Sequence, residues 1–413
     1  MNLHRLLTGT LGLLLVSLFA YPSHADVPDP SLVSKLYPDV LKVGPPPAIK
    51  AGTRLTYYGG SATIPGVRNK LVPDVNGNWV DKNTGQKFGE TEVKGSGGVG
   101  YTIVRIGHVD KEAVVVNLSN YLIDTLANTV SYTGGNGFVS NAGAASDYWI
   151  HPDILKKIPN SNNVGYVVSR MPYVIGNRKF SAIRFQSESA SGHTAYMYDL
   201  DSGILLYLGS SAVGAGVITP GVNGQAAGGA GNTYISHSQL VEVKDVDIPW
   251  AGAPVPQWVT KFNELRYDGT IITAIDGVQP MTQRLNATLT TKAREDGWVR
   301  FENTITSQVP NFQPLQSKTQ AAAGHASVGG IWISPQALAK LKVGQVIDSI
   351  DTIKTKTVVT DIGRGYVTIS EIGQLHRADI GYDTTTGIMA GVTLQQRSQL
   401  ALTTTQLRLS GQK

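Results

Sequence analysis

Two short stretches of the chain carry residues that could do acid–base chemistry. Glu188 is followed five positions later by His193, and Glu371 is followed at the same spacing by His376. A carboxylate and an imidazole on facing strands of a hairpin can act as a general acid–base pair. The same Glu–His spacing occurs twice in the chain, however, and duplicated units keep their scaffold more readily than an active site. The repeated occurrence of the pair therefore favours a structural role. We therefore predict that each histidine ties two strands by a hydrogen bond, with the catalytic pair as the alternative.

A second candidate is a cation site at Asp199 and Asp201, which precede Gly203. Alternate carboxylates of this kind resemble the start of a calcium loop. No glutamate follows at the required distance, and the matching position later in the chain is Thr385. We predict a hairpin turn here and no metal, because Asp accepts backbone hydrogen bonds at a turn and Gly takes its positive φ.

The other sequence patterns argue against a cofactor. The stretch 95–100 matches the dinucleotide-binding pattern Gly-x-Gly-x-x-Gly, but a strand rather than a helix is predicted after it, so we interpret it as a turn. The chain contains neither a Gly-x-Ser-x-Gly element nor a phosphate-binding Gly-Lys-Ser/Thr loop. It has no Cys, which excludes disulfides, thiolate metal ligands and thiol nucleophiles.

Aromatic residues offer a further candidate for ligand binding. Of the six Trp residues, Trp149 and Trp332 are best explained as core residues. Trp79 falls between turn signals in a predicted inserted hairpin, where we expect it to be partly exposed. It is our candidate binding residue, although single exposed aromatic residues are also ordinary.

The elements that would position these residues occur twice. The pattern Trp-Ile-x-Pro-x-x-Leu begins at Trp149 and again at Trp332, and each Trp precedes a histidine by 44 residues. The pattern Tyr-Asp-x-x-x-Gly-Ile begins at Tyr198 and again at Tyr382, shifted by one further residue. This indicates a duplicated unit with a period near 183 residues.

The local patterns in both units are those of strands with one short helix. Short β-branched runs alternate with turn residues, whereas Pro152 and Pro335 each open a short helix-forming stretch. The sequence therefore predicts an all-β protein of two tandem duplicated antiparallel β domains, as a sandwich or curved half-barrel, each with one short helix. The Tyr-Asp-x-x-x-Gly-Ile hairpin is similar to hairpins in the half-barrels of periplasmic lipoprotein carriers, a likeness that implies an apolar ligand.

Composition and turn signals give the predicted boundaries. We expect a signal peptide at 1–25, a Pro-rich extended segment at 26–50, a first β domain at 51–246 with an inserted hairpin at about 65–90, a linker at 247–257 and a second β domain at 258–413. The leader predicts export to the periplasm or the medium.

Charge and composition limit the possible functions. The net charge is only +5 and basic residues form no run, so no nucleic-acid partner is expected, and no later segment is long and apolar enough for a transmembrane helix. We predict an exported, non-catalytic β-rich protein with a binding or envelope or surface structural role. Its partner would be a lipid, a glycan or an envelope protein, and one version holds an apolar ligand. The alternative is a secreted hydrolase acting on glycans or other extracellular polymers.

Overall fold

The structure is a computed structural model that describes residues 32–64, 71–73, 79–81, 84–88, 98–145, 148–163, 165–189, 192–213, 233–309, 313–398 and 401–413. The predicted signal peptide lies outside the described residues, as does part of the Pro-rich segment. The described chain consists almost entirely of antiparallel strands.

The strands of the first unit are β1 (Thr53–Ile64), β2 (Leu71–Pro73), β3 (Trp79–Asp81), β4 (Lys87–Phe88), β5 (Val99–Val109), β6 (Ala113–Asp124), β7 (Thr129–Asn141), β8 (Ala144–Ala145), β9 (Trp149–Ile150), β10 (Ser161–Asn163), β11 (Tyr166–Ile175), β12 (Arg178–Glu188), β13 (Gly192–Asp199), β14 (Leu205–Val213) and β15 (Thr233–Asp245).

The strands of the second unit are β16 (Glu264–Ile275), β17 (Val278–Glu295), β18 (Trp298–Gln308), β19 (Leu315–Gly324), β20 (Val346–Ile350), β21 (Thr355–Gly363), β22 (Tyr366–Ile372), β23 (His376–Asp383), β24 (Met389–Arg397) and β25 (Ala401–Gln412).

Helices are few and short in the described chain. α-Helices span Leu32–Leu36, Pro152–Lys157 and Pro335–Leu338, and 3-10 turns span Pro38–Lys42, Gln257–Thr260 and Asp351–Ile353. The helix at Pro152 and the helix at Pro335 each begin with proline, whose fixed φ suits the first helical position. None of the helices in the described part of the chain is long and apolar enough to cross a membrane.

Each unit forms one ten-stranded sheet in which the first strand pairs with the last. The order is β10-β11-β12-β13-β14-β15-β1-β5-β6-β7 in the first sheet and β19-β18-β17-β16-β25-β24-β23-β22-β21-β20 in the second. The predicted fold class, all-β with two duplicated antiparallel domains and short helices, is confirmed. The exact domain boundaries stay a prediction.

One face of each sheet carries the hydrophobic core, and we call it the inner face. In the first unit a single buried cluster joins Val116 on β6 to Val168 on β11, which stand near opposite edges of the strand order. The sheet must therefore curve around its core. In the second unit the inner face carries two adjoining clusters, and Met389 packs against both.

A tryptophan and a glycine turn close the same end of both sheets, which we call the helix end. Trp149 is fully buried and bridges to Ile204, while Trp332 is buried and bridges to Ile388. Gly203 has φ +77°, and a Cβ there would overlap the carbonyl oxygen of Ile150. The turn therefore needs glycine for two reasons, its positive φ and this close backbone approach.

The turn at Gly387 repeats this arrangement with φ +74° and the carbonyl oxygen of Ile333 as its neighbour. The two tryptophans thus lie in equivalent surroundings, as the duplication predicts.

The segment where we predicted an inserted hairpin contains a separate three-stranded sheet, β2-β3-β4. It lies against the outer face of the first sheet, where the Ser211 hydroxyl on β14 donates a hydrogen bond to the carbonyl oxygen of Leu71 on β2. Leu71 is fully buried. The insertion therefore packs against the outer face of the first sheet at β14.

Candidate functional site

The two Glu–His pairs, although equally spaced, lie on opposite faces of their sheets. Strand pairing places Tyr198 opposite Ile183 in the first unit and Tyr382 opposite Val367 in the second. If these pairs are equivalent, the counterpart of Glu371 is Ser187, not Glu188. Because successive residues of a strand point to opposite faces, a shift of one residue exchanges inside and outside.

Two length differences that nearly cancel explain the matching spacing. Val168 pairs with Phe185 in the first unit, and Val359 pairs with Ile369 in the second, so the second hairpin is 7 residues shorter. The connection that runs from the Trp to this strand is 8 residues longer in the second unit. The equal separation from Trp to His is therefore coincidental, and His193 and His376 are not structural equivalents.

The first pair lies on the outer face. Glu188 pairs directly with His193 across β12 and β13, and His193 pairs with Ser211, the residue that contacts the inserted sheet. His193 is 3% exposed, and its Nδ1 lies 3.9 Å from Glu188 Oε1. The structure thus brings the two residues near each other without a hydrogen bond between them.

The second pair lies on the inner face and is in direct contact. His376 Nε2 is 3.1 Å from Glu371 Oε1, and both side chains are largely buried. Because an ionised carboxylate only accepts hydrogen bonds, Nε2 of His376 carries a proton and donates the hydrogen bond to Glu371. The ring of Tyr132 from the first unit stacks on His376 with 5.2 Å between centroids.

Residues of the first unit occupy both oxygens of Glu371. The Tyr121 hydroxyl donates to Oε1 at 2.7 Å, and Arg105 Nη2 donates to Oε2 at 3.3 Å. Burial by itself raises the pKa of the Glu371 carboxyl, but hydrogen bonds from His376 and Tyr121 and the charge of Arg105 lower it to about 2. Glu371 is therefore a fixed anion, which makes it a poor proton acceptor at neutral pH.

A second ion pair joins the units beside this one. Arg54 on β1 donates from Nη1 to both oxygens of Asp348 on β20, at 3.0 and 3.1 Å, and from Nη2 to Glu242 at 2.5 Å. Arg54 and Asp348 are almost fully buried. Arginines on the outer face of the first sheet, Arg54 and Arg105, thus face the carboxylates Asp348 and Glu371 of the second sheet.

A histidine pair marks a further contact between the units. His108 Nδ1 lies 2.7 Å from His325 Nδ1, so one ring donates and the other accepts. Burial lowers the pKa of His108, and burial together with the neighbouring His108 lowers the pKa of His325. The neutral forms of both rings are therefore favoured in the folded protein.

The inner face of the second sheet changes from apolar to polar toward the end opposite the helix, which we call the far end. On β17 the inward positions run Leu289, Ala287, Leu285 and then Gln283, and on β25 they run Leu407 and then Thr405. Gln283 and Thr405 both pair with Ile271 on β16, so the two lie on the same face with one strand between them.

Four polar atoms in this region have no hydrogen-bond partner among the described residues: Gln283 Oε1, Thr405 Oγ1, Gln396 Oε1 and His376 Nδ1. We call them the far-end polar atoms. Gln396 pairs directly with His376, and Thr405 pairs with Leu394, so the four side chains share the inner face. Buried polar atoms without partners are rare because each costs about 1–3 kcal/mol. Four such atoms on one face of the sheet make this region our candidate binding site.

Apolar side chains beside the far-end polar atoms are only partly buried. Val392 and Leu394 follow each other along the inner face of β24, and Ile380 pairs with Val392. All three are of intermediate exposure, whereas inward residues nearer the helix end, such as Leu289 and Tyr382, are buried. Solvent therefore reaches this part of the inner face.

The two candidates for a cation site, Asp199 and Asp201, lie in a turn and contact other protein groups. The Asp199 carboxylate accepts hydrogen bonds from the backbone N–H and the hydroxyl of Ser202, and Asp201 is exposed, 3.8 Å from Lys156 Nζ. In the described ranges no group of three or more His, Asp or Glu is arranged to hold a metal. The Trp79 backbone pairs with Pro73 and Phe88, while its side chain is outside the described part of the chain.

Sequence reasoning missed Gln283, Thr405 and Gln396. A signal for them existed, because in each of β17, β24 and β25 an inward apolar alternation ends in a polar residue at the same end of the sheet. Recognising it requires the pairing of strands that are distant in the sequence.

No family model matches the chain, and no curated protein matches it. A structural similarity was found to a protein of unknown function from the DUF3598 family of Nostoc punctiforme PCC 73102, at 9% identity over 86% of this chain and 95% of that chain, with a TM-score of 0.14. So low a TM-score means that little of the two backbones superimposes, and it carries no functional argument.

Proposed function

We propose that the protein is an exported, non-catalytic binding protein that holds an apolar or amphiphilic ligand against the inner face of its second sheet. The observation that carries the proposal is the group of far-end polar atoms beside the partly exposed Val392, Leu394 and Ile380. Ligand sites combine apolar walls with a few placed polar groups. Export rests on the leader-like sequence at 1–25.

The alternative of a glycan hydrolase has less support. Its best acid–base candidate, Glu371, has both carboxylate oxygens bonded and a pKa held near 2 by His376, Arg105 and Tyr121. Such a carboxylate neither takes up nor releases a proton at neutral pH. The other candidate pair, Glu188 and His193, lies on the outer face against the inserted sheet rather than in a recess of the core.

Mass spectrometry of organic extracts tests the proposal. The full chain is expressed with its leader, purified without detergent and extracted, and we expect an amphiphile in near-stoichiometric amount. Leu394→Trp, which fills the inner face, should reduce the bound amount. Thr393→Trp places the same side chain on the opposite face of β24 and is the matched control.

An extract without any bound amphiphile, together with turnover of an extracellular glycan by the purified protein, would overturn the proposal in favour of the hydrolase.

A further inference from the structure

The far end of the second sheet also carries apolar side chains that face solvent. Leu126, Leu315 and Val278 are 97%, 60% and 49% exposed, and Leu402 is 38% exposed. We propose that these four side chains, which we call the apolar rim, dock the protein on the surface of a lipid membrane. The inference goes beyond the proposed function, because it concerns the outside of the far end and needs no ligand on the inner face.

Three members of the apolar rim lie along one edge of the second sheet. Val278 is the first residue of β17, Leu315 is the first residue of β19, and Leu402 is the second residue of β25. Ile275, the last residue of β16, pairs with both Val278 and Ala401 at this edge. The strand order β19-β18-β17-β16-β25 therefore places the three side chains within roughly 20 Å of one another.

Leu126 reaches the same end of the second sheet from the first unit. It lies in the turn between β6 and β7, and just after this turn the N–H of Val130 donates to Gln374 Oε1 at 3.0 Å. Two residues further along β7, Tyr132 stacks on His376, the first residue of β23. Because β7 runs inward from these two contacts, the turn with Leu126 projects beyond the edge of the second sheet.

The turns at the far end satisfy their own backbone groups. The N–H groups of Leu126 and Ala127 both donate to Asp124 Oδ1, at 2.9 and 3.0 Å. At the start of β25 the N–H of Ala401 donates to Ser398 Oγ at 3.1 Å. An N–H group that already has a partner enters an apolar environment at a lower cost than a free one, so these turns are suited to contact with a bilayer.

The arrangement of the apolar rim favours a membrane over a second protein. Its side chains stand on separate turns and strand ends, whereas a stable protein interface needs a continuous packed area of about 800 Å² on each partner. Side chains on separate turns can each enter the apolar boundary of a bilayer independently of one another. Arg397 is exposed and pairs directly with Leu402, so its guanidinium can bind a lipid phosphate while its apolar stem stays beside Leu402.

Val343 offers a matched control for the apolar rim. It is 60% exposed, the same as Leu315, but it lies in the connection between the helix at Pro335 and β20. Single exposed apolar side chains of this kind are ordinary on protein surfaces. Vesicles should therefore distinguish Val343 from the members of the apolar rim.

Site-specific fluorescence tests the inference, since the chain has no Cys and a single introduced Cys can be labelled alone. Leu126→Cys and Val343→Cys are each labelled with the polarity-sensitive dye nitrobenzoxadiazole in the full chain, and vesicles of phosphatidylcholine and phosphatidylglycerol are added. We expect emission to rise at position 126 and to stay unchanged at position 343. In vesicle sedimentation, the triple variant Leu126→Ser, Val278→Ser, Leu315→Ser should lower the membrane partition coefficient at least about tenfold, whereas Val343→Ser should leave it unchanged.

Wild-type protein that does not sediment with vesicles, or equal emission changes at positions 126 and 343, would overturn the inference. An emission at position 126 that rises with protein concentration in the absence of vesicles would overturn it in favour of a second copy of the chain as the partner. The proposed function fails in a different measurement, the absence of an amphiphile from organic extracts. The two proposals can therefore be refuted separately.

Discussion

The Glu188–His193 and Glu371–His376 pairs share their residue types and spacing but not their surroundings. The first pair stands on the outer face under an inserted sheet, with 3.9 Å between His193 Nδ1 and Glu188 Oε1 and a Glu side chain that is 35% exposed. The second stands on the inner face, where Tyr121 and Arg105 of the other unit complete the shell of Glu371. The different roles of the two pairs therefore follow from what each sheet packs against and not from the shared sequence pattern.

The carboxylates give the largest expected difference between the two pairs. Glu371→Gln leaves the buried Arg105 without its main partner, and breaking such a pair costs about 3–5 kcal/mol. Glu188→Gln should change the free energy of unfolding by less than about 1 kcal/mol, since its carboxylate is partly exposed. Urea denaturation of both variants measures this. Equal losses would mean that the two pairs have the same role after all.

The glycine turns, in contrast, should respond alike. Gly203→Ala and Gly387→Ala each force a Cβ into a carbonyl oxygen at positive φ, and we expect each to destabilise its unit by about 2 kcal/mol or more. Gly165→Ala, at positive φ with open space around it, is the control for backbone strain alone. A large effect at only one of the two turns would contradict their equivalence.

Thermal unfolding at acid pH tests how much the ionised Glu371 of the second pair stabilises the fold. Its folded pKa, about 2, is below the ordinary value of 4.5, so its ion pair stabilises the fold fully above about pH 4.5 and the stabilisation is lost as pH falls toward 2. The melting temperature of the wild type should therefore fall across this window, and Glu371→Gln should flatten the fall. An unchanged slope in the variant would show that other carboxyl groups control acid unfolding.

Substitution of the histidines should give a smaller contrast. His376→Gln removes a hydrogen bond to a charged carboxylate, which is worth about 1.5–3 kcal/mol, whereas His193→Gln loses a buried ring without such a bond to Glu188 and should cost about 1 kcal/mol. Thermal unfolding of the two variants checks the order. The reverse order would place the tighter contact in the first unit.

The contact between the units gives the smallest effect. His108 and His325 have lowered pKa values, so protonation opposes the folded contact and stability should fall as pH drops below about 6.5. We expect stability to fall between pH 7 and 5, and His325→Gln should make this fall smaller because only the buried His108 then remains to be protonated. His237→Gln, a histidine on β15 that stays within the first unit, should retain the wild-type slope.

Much of the fold could be predicted from local patterns. The turns at Gly203 and Gly387 and the helices that begin at Pro152 and Pro335 follow from residue types that favour those conformations wherever they occur. The inner and outer faces could not be assigned to His193 and His376 in this way, because two distant length differences shift the register by one residue. The role of Glu371 depends on Arg105 and Tyr121, which are more than 200 positions away.

The pairing of first strands with last strands has a consequence for how the chain acquires its structure. Thr53 meets Asp245 across 192 positions, and Arg54 meets Asp348 across 294. Contacts so remote in sequence make folding slow, since long loops must close before any pairing stabilises them. Until β15 arrives, β1 presents an open edge that can pair with other chains. A newly made molecule is therefore most prone to aggregate before β15 has been synthesised and has paired with β1.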